Sequence, residues 1–280
     1  MDVWPGRTPP APADLRARTR DAEGLLCLLT DRVDAELLDA CPRLRAVSVM
    51  AVGTDNVDAE AAAERGVAVS NTPGVLDQTT ADLAFALMLG AARRVTEAAA
   101  AARAGEWVTW EPAGWLGEDV HGAVLGLVGR GRIGSAVAQR AEGFGMQVLS
   151  TRSSSGVPLP ELLERSDFVS LHCPLTEETR GLIGPAELRR MKPTATLVNT
   201  ARGEVVDTDA LVQALGDRTI AAAGLDVTDP EPLPAGHPLY SLPNALVTPH
   251  VGSASRHTRK LMAALAVDNL LAALATPRAP

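Results

Sequence analysis

Cysteine is scarce in this chain: Cys27, Cys41 and Cys173 are the only three in 280 residues. They lie far apart and without metal-ligand spacing, which argues against a disulfide framework or a zinc site and points to a reducing cytoplasm. The opening "MDVWPGRTPP" has no basic start followed by an apolar core, so it indicates neither a secretory signal nor a membrane anchor. Long apolar runs are missing too. The most apolar stretch, "LAFALMLGAA" at 83–92, falls far short of the roughly 20 residues needed to cross a bilayer and reads as a buried helix. No run of basic residues offsets the net charge of −8, so repulsion weakens the case for nucleic acid or an anionic membrane surface as a partner, and neither is expected. No repeat recurs at solenoid spacing, and the alanine-rich 98–105 reads as helix.

What is present is apolar material, 46% of the chain, enough for one large or two moderate domains. Runs rich in Val, Leu and Ile ("GLLCLL", "AVSVMAV", "VAVSN", "AVLGLVG", "QVLST", "DFVSLHC", "ATLVNTA", "AAAGLDV", "ALVTPH") alternate with helical patterns. Continuous apolar strands separated by helices predict parallel sheets covered on both faces, hence an α/β fold of two Rossmann-like lobes. A long helical segment from about Thr80 to Trp107 divides the two series, with Thr79, Thr80 and Asp82 as capping groups and Arg93 and Arg94 in its middle. The C-terminal helical pattern is expected to return to the first lobe. The expected division is 1–91 with 258–280 as the substrate domain and 92–257 as the dinucleotide-binding domain.

"AVLGLVGRGRIGSAVAQRA" places Gly129, Gly131 and Gly134 in G-x-G-x-x-G spacing between a strand and a helix. Such spacing alone is weak; in this context it predicts a tight turn at Gly129, room for a pyrophosphate at Gly131, and close helix packing at Gly134. The next strand ends in Thr151 and Arg152, where an NAD-preferring site carries an acid on the ribose hydroxyls. A guanidinium with neighbouring hydroxyls, Thr151 and Ser153, suits the 2′-phosphate of NADP instead, with NAD also possible. The plain alternative is a solvated arginine at a strand end.

Three later strand ends carry polar groups: Arg202, Asp226 with Glu231, and His250. The carboxyl ends of strands in an open parallel sheet face the ligand crevice, so these are expected to converge. Arg202 suits an anionic substrate, His250 suits proton transfer near neutral pH, and Glu231 within reach would orient the imidazole and favour its protonated form. Taken singly, each has a structural alternative: a turn cap for His250, a surface ion pair for Arg202, a loop residue for Glu231. Of the other histidines, His121 and His237 fall in Gly/Pro-containing loops, His257 begins a helix, and His172 ends a strand, where its place is at most the lining of a cofactor site.

In order along the chain, "GRGRIGSAVAQRAEGFGMQVL", "SDFVSLHCPLTEETRGLIG", "MKPTATLVNTARGEVVDTDAL", "AGLDVTDPEPL" and "LVTPHVGS" resemble the D-2-hydroxyacid dehydrogenases. "VGTDNVD", "NTPGVLDQTTADLAFALMLGAARRV" and "GEWVTWEPAGWLG" are most similar to the glyoxylate/hydroxypyruvate reductases within them. The resemblance implies NADPH-dependent reduction of a small 2-oxo acid, with a catalytic set of Arg202, Glu231 and His250 and substrate carboxylate binding at Val52 and Gly53. It implies that Thr80, Arg132, Ile133, Cys173, Pro174, Thr179, Thr200, Asp226 and Gly252 approach the cofactor. It also implies a homodimer in which Trp110 reaches the partner's active site and limits substrate size, with Trp107 and Trp115 in core or interface packing. No metal is expected. Other readings are a D-lactate or phosphoglycerate type of dehydrogenase, NAD-dependent in one version, and an inactive nucleotide sensor. Relative to the family, "MDVWPG" looks like the second strand of the first lobe, "SSSGVPLPELL" replaces a longer region, and Asp82 stands where Glu is usual.

Replacing Arg152 with Asp should move cofactor preference from NADPH toward NADH in steady-state kinetics; unchanged selectivity would refute the role given to Arg152.

Overall fold

The computed structural model describes residues 1–151 and 156–276, which form two compact units: 1–76 with the segment from 254 onward, and Asp77–Ser253. In the first unit the order is α1 (Pro12–Thr19), β1 (Gly24–Cys27), α2 (Ala35–Ala40), β2 (Ala46–Val49), α3 (Ala59–Glu64) and β3 (Ala68–Ser70). The strands form a parallel sheet in the order β1-β2-β3. Asp34 and Asp58 start α2 and α3 by accepting the amides of Leu37 and Ala61, the local reason those helices begin where they do.

The second unit runs α4 (Asp77–Ala92), α5 (Val95–Arg103), β4 (Val124–Val128), α6 (Arg132–Gly143), β5 (Gln147–Ser150), α7 (Leu159–Arg165), β6 (Phe168–Leu171), α8 (Pro185–Arg190), β7 (Thr196–Asn199), α9 (Thr208–Gly216), β8 (Ala222–Leu225) and β9 (Ala245–Val247). Its six strands are all parallel, ordered β5-β4-β6-β7-β8-β9. Strand order reverses on either side of β4, which sets the ligand crevice of a doubly wound sheet at the end of that strand. Every residue of β6, β7 and β8 is buried, as expected of strands covered on both faces. Finally α10 (Arg256–Ala275), capped by Ser255, belongs to the first unit, where the Ser48 hydroxyl donates to the Ala266 carbonyl at 2.8 Å. Among the described residues no helix is long and apolar enough to cross a membrane.

Each of the nine apolar runs contains a strand, but three local expectations are corrected. The single helix expected from Thr80 to Trp107 starts earlier, at Asp77, and breaks at Arg93–Arg94 into α4 and α5. The Ala92 carbonyl, which a continuing helix would use, instead accepts the Glu118 amide at 3.0 Å, and Arg94 turns left-handed (φ 52°) with its guanidinium on Glu97 and over the Trp115 ring. "MDVWPG" forms no strand: the Trp4 indole N–H donates to the Thr8 carbonyl at 2.7 Å, Arg18 stacks over that ring, and Pro5 and Gly6 oppose a ladder. The boundary expected at 91/92 falls at Leu76/Asp77, and that at 257/258 falls at Ser253/Ala254. The reason is α4: a methyl group on Gly224 of β8 would come within 2.9 Å of Leu87 Cβ, so this helix lies directly on the six-stranded sheet.

Candidate active site

The turn after β4 uses its three glycines for three different reasons. Gly129 has φ +94°, and a Cβ there would sit 2.8 Å from the Cys173 nitrogen; a Cβ on Gly134 would sit 2.3 Å from the Gly129 carbonyl oxygen. Around Gly131, which N-caps α6, a Cβ would meet nothing within 4 Å. Close packing on both sides of an open position at a helix N-terminus fits a pyrophosphate, because orphan amides and the helix dipole both favour an anion there. Arg132, first in α6, exposes 60% of its side chain, with Nε 3.5 Å from Asp77; Ile133 is half-buried. The Thr151 hydroxyl accepts the Gly129 amide at 3.3 Å, tying the end of β5 to the turn. Arg152 and Ser153 lie outside the described residues.

Beyond β6, His172 Nε2 is 2.9 Å from the Ser170 hydroxyl and Nδ1 is 3.5 Å from that of Thr200. Burial holds its imidazole down at about 4, so it is neutral at physiological pH. Cys173 is half-buried, while Thr179 closes the next turn, donating to the Pro174 carbonyl and accepting the Thr176 amide, both at 2.7 Å.

The other groups stand on the strand ends of β7, β8 and β9. Buried Asn199 at the end of β7 accepts the Ala201 amide at 2.9 Å and donates to the Arg202 carbonyl at 2.8 Å, fixing the backbone that carries Arg202. A Cβ on Gly203 would lie 2.1 Å from the Thr228 carbonyl, so two backbones touch and the Arg202 loop is brought to the loop carrying Glu231. Asp226 directly follows β8 and is 2% exposed. Its carboxylate accepts the Thr248 hydroxyl (2.7 Å) and the amides of Val251 (2.8 Å) and Gly252 (2.7 Å), while its carbonyl accepts the His250 amide (2.9 Å). Burial pushes the Asp226 carboxyl up, against the pull of those three bonds. Thr80 is buried against Gly252: a Cβ there would come 3.4 Å from its methyl.

Held in this way, with φ 51°, His250 places Nδ1 2.6 Å from Glu231 Oε1. Burial raises the Glu231 carboxyl, but the hydrogen bond and charge of His250, with a further contribution from Arg202, outweigh it and hold it below the usual range. An ionised carboxylate only accepts, so Nδ1 carries the proton of that bond and Nε2 is left to exchange one with a substrate.

Arg202, Asp226, Glu231 and His250 therefore come together within the second unit. Val52 and Gly53 follow β2 in the first unit, where the Asn71 amide donates to the Val52 carbonyl at 2.7 Å. Trp110 is 80% exposed, and Trp107, expected in core or interface packing, is 75% exposed and not core; both lie in a loop without helix or strand. Sequence reasoning missed Asn199, Gly203 and Thr248. Asn199 and Gly203 flank the Arg202 motif, but their role appears only once β7 and β8 are neighbours.

The profile of the D-isomer specific 2-hydroxyacid dehydrogenase NAD binding domain matches residues 85–252. The chain belongs to that family. This dehydrogenase is an NAD(P)-dependent oxidoreductase, and the Gly129–Gly134 turn lies within the matched NAD binding domain. It is 52% identical to the glyoxylate reductase of Korarchaeum cryptofilum, over 97% of this chain and 86% of that protein. A protein of known structure from Thermus thermophilus has 54% identity and TM-score 0.90, covering 94% of this chain and 86% of its own. The NADPH-dependent glyoxylate/hydroxypyruvate reductase of Sinorhizobium meliloti, solved with NADP and malonate, has 36% identity and TM-score 0.85, covering 96% and 86%.

The His172 geometry gives a pH signature. The unfolded chain takes up a proton near the ordinary value of about 6.5 that the folded chain refuses until about 4, so stability falls as pH drops through that window. In His172→Gln, the loss of urea stability between about pH 7 and about pH 5 should shrink; an unchanged loss would contradict the buried neutral ring.

Proposed function

We propose that this dehydrogenase reduces glyoxylate or hydroxypyruvate to the 2-hydroxy acid with NADPH, as a cytoplasmic homodimer. The observation that carries the proposal is the 2.6 Å contact between His250 and Glu231, made beside Arg202 at neighbouring strand ends. The glyoxylate reductase relatives and the Sinorhizobium meliloti enzyme support the substrate class, and that enzyme's NADP supports the cofactor.

The bound cofactor supplies the hydride that the keto carbon receives. Arg202 grips the substrate carboxylate and polarises the carbonyl through its fork of donors. His250 gives the Nε2 proton to the carbonyl oxygen as negative charge develops there, and Glu231 stabilises the imidazolium that donates it. His172, neutral and bonded to hydroxyls, is not the proton donor. Trp107, Val108, Trp110 and Leu116 are each exposed, which suits burial against a second subunit, with Trp110 the residue that limits substrate size.

Initial rates over glyoxylate, hydroxypyruvate, pyruvate and 2-oxobutyrate should favour the first two and NADPH over NADH; a reversed order would overturn the assignment. His250→Ala should lower kcat by about 10²- to 10⁴-fold and leave NADPH affinity in place. Near-full turnover in that variant would remove His250 as the donor.

A further inference from the structure

Asp77 opens α4 with a nearly buried side chain, 12% exposed, and one of its carboxylate oxygens, Oδ1, is buried without any hydrogen-bond partner. The other oxygen, Oδ2, lies 3.5 Å from Arg132 Nε, too long for a good hydrogen bond and close enough for an ion pair. Neighbouring Arg140 is committed elsewhere, to Asp82, the Gln78 side chain and the Gln78 carbonyl. Among the described residues, Arg132 is the only ion-pair partner of Asp77. Its orphaned oxygen takes no amide of α4, so helix capping does not account for its position.

Arg132 stands at the N-terminus of α6 beside the open position at Gly131. We propose that Asp77 is an affinity-setting residue for the dinucleotide: a resident anion that competes with the cofactor's pyrophosphate for Arg132. The inference rests on the reading that the pyrophosphate is held at Gly131 and Arg132. Two effects of Asp77 oppose each other. Anchoring Arg132 through a long, part-exposed ion pair is a small effect. Repulsion between a fixed, poorly solvated carboxylate and a doubly charged pyrophosphate sharing one cation is larger, because it acts twice over and Asp77 is shielded from water. Repulsion therefore wins, and Asp77 weakens cofactor binding. For an enzyme that must release oxidised cofactor every turnover, that speeds exit.

The test is equilibrium binding of NADPH, ADP and adenosine, by fluorescence and calorimetry, to the full chain carrying Asp77→Asn, Arg132→Ala or both. Asp77→Asn should tighten NADPH and ADP about tenfold at low salt, less at high salt, with adenosine unchanged. The gain should vanish in the Arg132→Ala background. Unchanged or weaker ADP binding in Asp77→Asn, or a gain that survives loss of Arg132, would overturn the proposal. If Arg132→Ala alone leaves ADP affinity unchanged, the pyrophosphate reading itself fails, which is a separate result. Should Asp77→Asn not fold, Asp77→Ser carries the same expectation.

Discussion

Asp226 sits at the end of β8 with its side chain buried, and the segment Thr248–Gly252 is wrapped around it by a hydroxyl and two amides on the carboxylate and a third amide on the carbonyl. A buried carboxylate is costly unless its lone pairs are filled, and charge-assisted bonds are the strong kind that fill them. The same bonds hold His250 in a left-handed backbone conformation that costs a non-glycine residue roughly 1–3 kcal/mol. Without that constraint the loop has no reason to point the imidazole at Glu231. The contact between His250 and Glu231 thus depends on a residue that does not belong to it.

The rest of the second unit supplies rigidity around this point. Six parallel strands fix the ends of β7, β8 and β9 side by side, and the contact of Gly203 with the Thr228 backbone leaves no slack between the loops of Arg202 and Glu231. On the other side of β4, the reversal of strand order opens the position at Gly131, next to which Arg132 and Asp77 set the local charge. Both groups of residues rest on the same geometric fact, that parallel strands end on one edge of the sheet.

Much of this was legible in the sequence. Buried parallel strands require continuous apolar runs, and each of the nine runs contains a strand; the glycine spacing and the polar residues after Asn199, Leu225 and Val247 mark positions that the fold sets at strand ends. The misses share a cause. The break between α4 and α5 depends on Glu118 capturing a carbonyl 26 positions away, written only in the tertiary fold. The assignment of α4 to the second unit depends on Leu87 meeting Gly224. Asn199 and Gly203 act through backbone partners, which side-chain patterns do not display. Arg152, the sequence's argument for NADP, falls outside the described residues.

The central claim is that Asp226 sets the geometry through which His250 works. In Asp226→Asn an NH2 replaces the oxygen that accepts the Gly252 amide and opposes that N–H, so the loop loses part of its hold on His250 while the sheet remains. The direct measurement is kcat of that variant at saturating NADPH and glyoxylate, with circular dichroism confirming the fold. The account predicts a fall of about 100-fold, the scale of a misplaced catalytic group; a folded variant turning over at the parental rate would contradict it.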